Sequence, residues 1–344
     1  MRTFFTYSSF YGILSEIRIE YRGQLSMSGM YLKVAKLVVG VVLLTTISNI
    51  VGISSSSASQ AFPGYSRSWY VGGGTSLAEM ESYGTEASTT ATGAFDIVVD
   101  FGGQVTCTTS TDGWCAQTAF GTGAVIPDET SSSTALTVVN YMKAFAAGYS
   151  SSANTNGEYG WIDVGTNNSI TVSTTAGAAW AALVDTISAD TSGDANVHIQ
   201  GGDDIESSWI GVISNFALAR DWVGGGSPAS IGGSGTAGFQ TSSKPMVDYG
   251  NAVLENGGLA DTNWTDGEFY NFYHGWAGEE MAPEMYYSGD ATQYQAVENA
   301  GATFYFAFVL SSEGTSLDPA QSWAYSPSVG LGPATCASYI NITS

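Results

Sequence analysis

Trp209-Ile-Gly-Val-Ile-Ser-Asn-Phe-Ala-Leu-Ala-Arg-Asp-Trp-Val-Gly-Gly-Gly-Ser-Pro228 is the stretch on which the fold turns. Trp209–Ser214 and Phe216–Val223 are short, rich in aromatic and β-branched residues, and close on a glycine-rich turn, which is the pattern of two strands in succession. Other segments continue it. Ala94–Phe101 mixes apolar and acidic positions, Ser169–Thr174 alternates with period two, and Asn196–Gln200 is short and partly apolar. Ala302–Leu310 is apolar on both faces, as expected of a covered central strand. Gln104–Ser110 and Trp114–Phe120 flank an Asp112-Gly113 turn and read as a hairpin. Helical periodicity is clearest over Thr134–Gly148 and Gly177–Ser188, and weaker over Lys244–Asn256 and Thr292–Asn299. The expectation is a mainly-β fold, an antiparallel β-sandwich of jelly-roll or Ig-like type with a few short helices in its connections.

Trp222-Val-Gly-Gly-Gly has an echo in Trp69-Tyr-Val-Gly-Gly-Gly74. Neither copy carries the Lys-Ser/Thr of a phosphate loop, and neither opens a helix with spaced glycines, so nucleotide binding is excluded as their role. Each reads as a strand running out into a flexible connection.

The first 61 residues differ from the rest. Lys33 and Lys36 precede an uncharged apolar run, and Ser59-Gln-Ala61 is a small-residue exit, the features of a secretory signal cut after Ala61. Met27 and Met30 lie just upstream of those lysines, and translation is expected to start at one of them. The apolar run is too broken for the roughly 20 residues of a membrane span. Residues 62–344 are then one secreted domain, with residues 62–78 as an extended arm.

Of the 9 Lys and Arg in the chain five precede residue 62, and of the 31 Asp and Glu two do, which leaves four bases against 29 acids. Such a balance excludes a basic footprint for nucleic acid and disfavours anionic lipid. Most carboxylates must be solvated, protonated or bound to cations. Cys107 and Cys115 fit a disulfide across the hairpin in an oxidising compartment, with Cys336 left for a bond between molecules. Asn167, Asn263 and Asn341 begin glycosylation sequons.

Three acidic groups carry chemistry. Asp190, Asp194 and Asn196 place oxygens at alternating positions as calcium loops do, although Ala195 stands where the turn glycine belongs. Asp203 on one side, and Glu279 and Glu280 on the other, are the carboxylates of a hydrolase working on glycosides or peptides. Aromatics from Trp264 to Tyr287 surround the second pair and suit sugar rings or protein contacts.

The leading expectation is a secreted structural protein of the cell surface, a filament, pilus or envelope-layer subunit. Copies of it would join by β-strand exchange through Trp69, Tyr70 and Val71. An acid hydrolase and a glycan-binding adhesin, with calcium as its cofactor, are the alternatives.

Overall fold

Ser66–Tyr70 does not hang free as an arm. In the computed structural model it is strand β1, paired in parallel with a strand on each side. The structure describes residues 62, 64–89, 94–118, 123–153, 159–167, 172–194, 196–205, 216–224, 239, 242, 244–249, 268, 272, 279–299, 308–312, 317–328 and 336–342. These fall within one compact unit, Ser59–Ser344.

Along the chain β1 is followed by α1 (Leu77–Thr89), β2 (Ala94–Thr106), a hairpin of β3 (Trp114–Gln117) and β4 (Val125–Pro127), and α2 (Val138–Ala153). Then come β5 (Tyr159–Asn167), α3 (Thr174–Asp190), β6 (Val197–Asp204), α4 (Phe216–Val223), β7 (Met246–Asp248) and β8 (Glu279–Met281). Last are α5 (Asp290–Asn299), β9 (Phe308–Ser312), α6 (Pro319–Ser328) and β10 (Cys336–Ile342). Strand and helix alternate, which the sandwich expectation does not allow. The fold is a mixed α/β arrangement on one sheet, and the antiparallel jelly-roll or Ig-like sandwich is overturned.

The sheet runs β8-β7-β6-β5-β2-β1-β10-β9, and every neighbouring pair on this path is parallel. Numbered by order of appearance, these eight strands stand as 6-5-4-3-2-1-8-7. The first strand pairs with the last, so this is the cyclic order of an eight-stranded β/α barrel, opened between the sixth and seventh strands. Pairing of β8 with β9 is the one step of the ring not seen among the described residues.

Side-chain contacts show that the sheet curls. On a flat sheet Tyr70 of β1 and Asp204 of β6 lie three strands apart, about 14 Å at the usual strand spacing. Yet the Tyr70 hydroxyl donates to Asp204 Oδ2 at 3.4 Å. Tyr249, just beyond β7, likewise reaches Asp100 of β2 across three strands, at 2.5 Å.

The two faces of the sheet differ in kind. Phe95, Ile97, Val99 and Phe101 point outward, where Phe101 stacks on Tyr141 of α2. Asp96, Val98 and Asp100 point inward. Inside, Gln200 Nε2 donates to Asp96 at 3.1 Å and to Asp163 at 2.7 Å. A barrel interior is ordinarily filled by bulky branched side chains. Here it is largely polar.

The helices are built by ordinary local rules. Ser76 and Glu79 form a reciprocal capping box at the start of α1. Ser173 caps α3, its hydroxyl accepting from the Ala176 N–H at 3.2 Å. The expected strand Ser169–Thr174 is therefore corrected where it is described: Ser173 and Thr174 open a helix. Phe216–Val223 is corrected too, being α4 and not a strand. Met246–Asp248 lies in a strand where a weak helix was expected. Trp69 packs outward between Tyr83 of α1 and Phe145 of α2. Trp69, Tyr70 and Val71, expected as a subunit contact, are all buried in the chain's own core. The two glycine-rich echoes sit differently, one after a strand and one after a helix.

No helix among the described residues is long and apolar enough to cross a membrane. The leader and start-site expectations, on residues 1–61, lie outside the described residues, as do Trp209–Ser214 and most of Ala302–Leu310.

Candidate active site

Six of the eight parallel strands bring a polar side chain to their carboxyl ends. β1 contributes Tyr70, β2 Asp100, β5 Asn167 and β6 Asp204. Tyr249 follows β7, and Glu284 and Tyr286 follow β8. All but Tyr286 are buried, with Tyr70 and Asn167, each at 8% exposure, the nearest of them to solvent. The carboxyl end of the strands is where β/α barrels build their active sites.

Asp204 Oδ2 accepts from Asn167 Nδ2 at 2.7 Å as well as from the Tyr70 hydroxyl. Asp100 accepts from Tyr249 through Oδ2 and from the Gly102 N–H, at 2.7 Å, through Oδ1. Burial pushes the Asp100 pKa up to about 6, against the lowering effect of its hydrogen bonds from Tyr249, Gly102 and Asn167. Glu284 Oε1 accepts from the Tyr286 hydroxyl, and the Glu284 N–H donates to the Tyr294 hydroxyl at 2.9 Å. Asp290 fixes the same loop by accepting from the Tyr286 and Tyr287 N–H groups at 2.8 and 2.7 Å.

Tyr70 and Tyr249 sit among these acids as neutral phenols. Burial raises the Tyr70 pKa most, followed by the fields of Asp204, Tyr286, Glu284 and Asp100. Tyr249 is raised by burial and then by Asp100, Asp204 and Asp203. Tyr249 fits because the strands beside it carry glycine. A Cβ on Gly165 would lie 2.3 Å from its hydroxyl, and one on Gly202 would lie 2.9 Å from its ring. The β3–β4 hairpin pairs with the end of β2 at this same end of the barrel.

No protein-family model matches the chain, and no curated protein or solved structure is significantly similar to it. The site is therefore read from its own geometry.

Of the expected hydrolase residues, Asp203 lies at the end of β6 but on the opposite face from Asp204. It shares that outer face with Gly201, whose Cβ would meet the Phe239 ring, and with Asp248, its register partner on β7. Burial raises the Asp203 pKa well above the usual carboxylate range, and its Oδ1 accepts from the Ile205 N–H at 3.3 Å. The inward residue is its neighbour Asp204. Glu279 and Glu280 are in β8, and their side chains lie outside the described residues. Asp100, Glu284, Tyr70 and Tyr249 were missed as a group. Only the barrel order brings them together.

The calcium candidates are at the other end. Val197–Asp204 spans about 23 Å at the usual rise per residue, so Asn196 and Asp204 are at opposite ends of the barrel wall. Asp190 pairs with Lys143 at 3.0 Å, and Asn196 takes the left-handed conformation with φ 65°. No group of three His, Cys, Asp or Glu among the described residues is arranged to hold a metal ion. His198 lies against Trp161, their ring centres 4.9 Å apart and tilted by 38°, near the amino end of β6 and away from the carboxylates.

Cys107 and Cys115 are joined, with Cα atoms 5.9 Å apart. Asn167 is buried against Asp204, and its amide is not available to a glycan. Asn341 is in β10 with its side chain outside the described residues, and Asn263 lies outside them altogether.

Proposed function

We propose that this chain is a glycoside hydrolase whose two working carboxyl groups are Asp204 and Glu284. The observation that carries the reading is that both stand at the carboxyl end of a β/α barrel beside Tyr70, whose buried hydroxyl donates to Asp204 at 3.4 Å and lies within the field of Glu284. Cleaving a glycosidic bond requires one carboxyl group to protonate the leaving oxygen and a second, ionised one across the bond.

Asp204 suits the ionised role, because one of its oxygens accepts from both Asn167 and Tyr70. Glu284 is the acid. Its proton goes to the glycosidic oxygen as the C–O bond breaks, water supplies hydroxyl to the anomeric carbon, and the water's remaining proton restores the acid. Tyr70 and Tyr249 hold the neighbouring carboxylates in place through their hydroxyls.

Exchange of the β1 segment between copies has no support in this geometry, since both edges of that strand are already paired. The test is release of reducing ends from a panel of polysaccharides by the full chain between about pH 3 and pH 7. Asp204→Asn and Glu284→Gln are each expected to lower the rate at least about 100-fold, as loss of a general acid or base does. Wild-type rates in both variants would sink the assignment. Glycan binding with no cleavage by the wild type would favour the binding-module reading instead.

A further inference from the structure

The β3–β4 hairpin leaves the parallel path of the sheet. β3 pairs with the end of β2, and β4 pairs, among the described residues, with β3 alone. Residues directly opposite each other share a face, so Trp114, Ala116 and Thr118 lie on the same side as Asp128, Ile126 and Ala124. That side is turned to the body of the protein: Ala116, Thr118, Ile126 and Asp128 are buried, whereas Val125 on the other side is 49% exposed. Two polar side chains on this underside have no partner among the described residues, Thr118 at its hydroxyl and Asp128 at both carboxylate oxygens. Buried polar groups of a fixed element are nearly always hydrogen-bonded. Lifting the hairpin would hydrate both at once.

Few contacts seat it. The Asp128 carbonyl accepts from the Val139 N–H at 3.1 Å, which ties the end of β4 to α2. Ala124 packs on Gly73, in the turn after β1, so closely that a Cβ on Gly73 would lie 2.1 Å from its own. The Cys107–Cys115 disulfide holds β3 to the end of β2, so that seam is the hinge and β4 is the edge that moves.

We propose that the hairpin is a pH-gated flap, seated while Asp128 is protonated and lifting from α2 and Gly73 when that carboxyl ionises. Burial, and then the acids Asp112 before β3 and Glu129 after β4, push the Asp128 pKa up to about 8. The end of β2 under β3, Gly102–Thr106, is uncharged. α2 brings Tyr141, whose hydroxyl donates to the Thr75 carbonyl at 2.6 Å, and Lys143, which pairs with Asp190. No hydrogen-bond donor among the described residues meets an ionised Asp128 under the hairpin, so its charge favours the lifted form, where water solvates it. The lifted form carries an ordinary carboxyl, so each pH unit between about 4 and 8 raises the opening constant up to about tenfold. The flap joins the carboxyl ends of β1 and β2, which bear Tyr70 and Asp100, and its lifting opens the mouth on that side. None of this depends on the hydrolase reading.

The test needs no substrate. Hydrogen exchange of the full chain is followed between about pH 5 and pH 8 at matched chemical exchange, at the Val139 N–H and at the amides of β5 and α3. Val139 loses its acceptor when the flap lifts, so its protection should fall up to about tenfold per pH unit while β5 and α3 change less. Protection at Val139 that is independent of pH, or that falls in step with β5 and α3, overturns the flap. Asp128→Asn should abolish the slope at Val139, and a slope that persists overturns the latch. Gly73→Ala removes the seat and keeps the carboxyl, which makes it informative even where the Asp128 variant does not fold. It should lower Val139 protection at every pH and leave the slope unchanged; unaltered protection overturns the seating contact.

Discussion

Asp128 ends the β3–β4 hairpin fully buried, and neither of its carboxylate oxygens has a hydrogen-bond partner among the described residues. Burial, with Asp112 and Glu129 nearby, pushes its pKa up to about 8, from 3.8 for a free carboxyl. The folded chain thus holds a proton that the unfolded chain releases between those two values. Stability is fullest below pH 4 and falls as pH rises, by about 1.4 kcal/mol per unit, until the folded-state value near 8 is passed. The accumulated loss is about 6 kcal/mol.

Asp128→Asn keeps the size of the side chain and removes the titration. Any cost of seating the amide is the same at every pH, so the readout is a slope. Thermal unfolding of wild type and variant at steps between pH 4 and pH 9 should show the variant gaining on the wild type throughout. For a chain of this size each kcal/mol moves Tm by roughly 2–4 °C, so the relative gain from pH 4 to pH 8 should reach at least about 10 °C. Two curves that stay parallel across this window would refute the buried, uncompensated carboxyl.

Replacing Cys107 and Cys115 by serine opens a short loop and should cost about 2–3 kcal/mol, read by urea unfolding with and without reductant. Gly165→Ala places a methyl group against the Tyr249 hydroxyl and should cut glycan cleavage more than Tyr249→Phe does; equal rates in the two would remove the steric argument. Expression in a glycosylating host should leave Asn167 unmodified by mass spectrometry, and a glycan there would contradict its burial against Asp204.

Much of the secondary structure was legible. Trp180, Leu183, Val184 and Ile187 share one face of Gly177–Ser188 and are all buried in α3. Ala94–Phe101 and Asn196–Gln200 fall largely within β2 and β6. Phe216–Val223 was misread although its helical signal is present: Phe216, Ala219, Arg220 and Val223 stand at i, i+3, i+4 and i+7. The disguise is Arg220, a base at a buried position, which breaks the apolar face unless it is counted as part of the core.

The fold class was hidden by the site itself. A parallel strand covered on both faces should read as a continuous apolar run, whereas a strand wet on one face alternates. β2 alternates Phe95, Asp96, Ile97, Val98, Val99, Asp100 and Phe101, as a sandwich strand would. β5 and β6 do the same through Asp163, Asn167, Gln200 and Asp204. Nothing in such a pattern distinguishes a face turned to solvent from a face turned to a polar barrel interior. The acidic positions that imitate a wet surface are the ones packed around the barrel axis, and they are buried. Misreading the sheet and missing the site were therefore one error, since the inward acids that make the strands look half-exposed are those that six strand ends gather around Tyr70 and Tyr249.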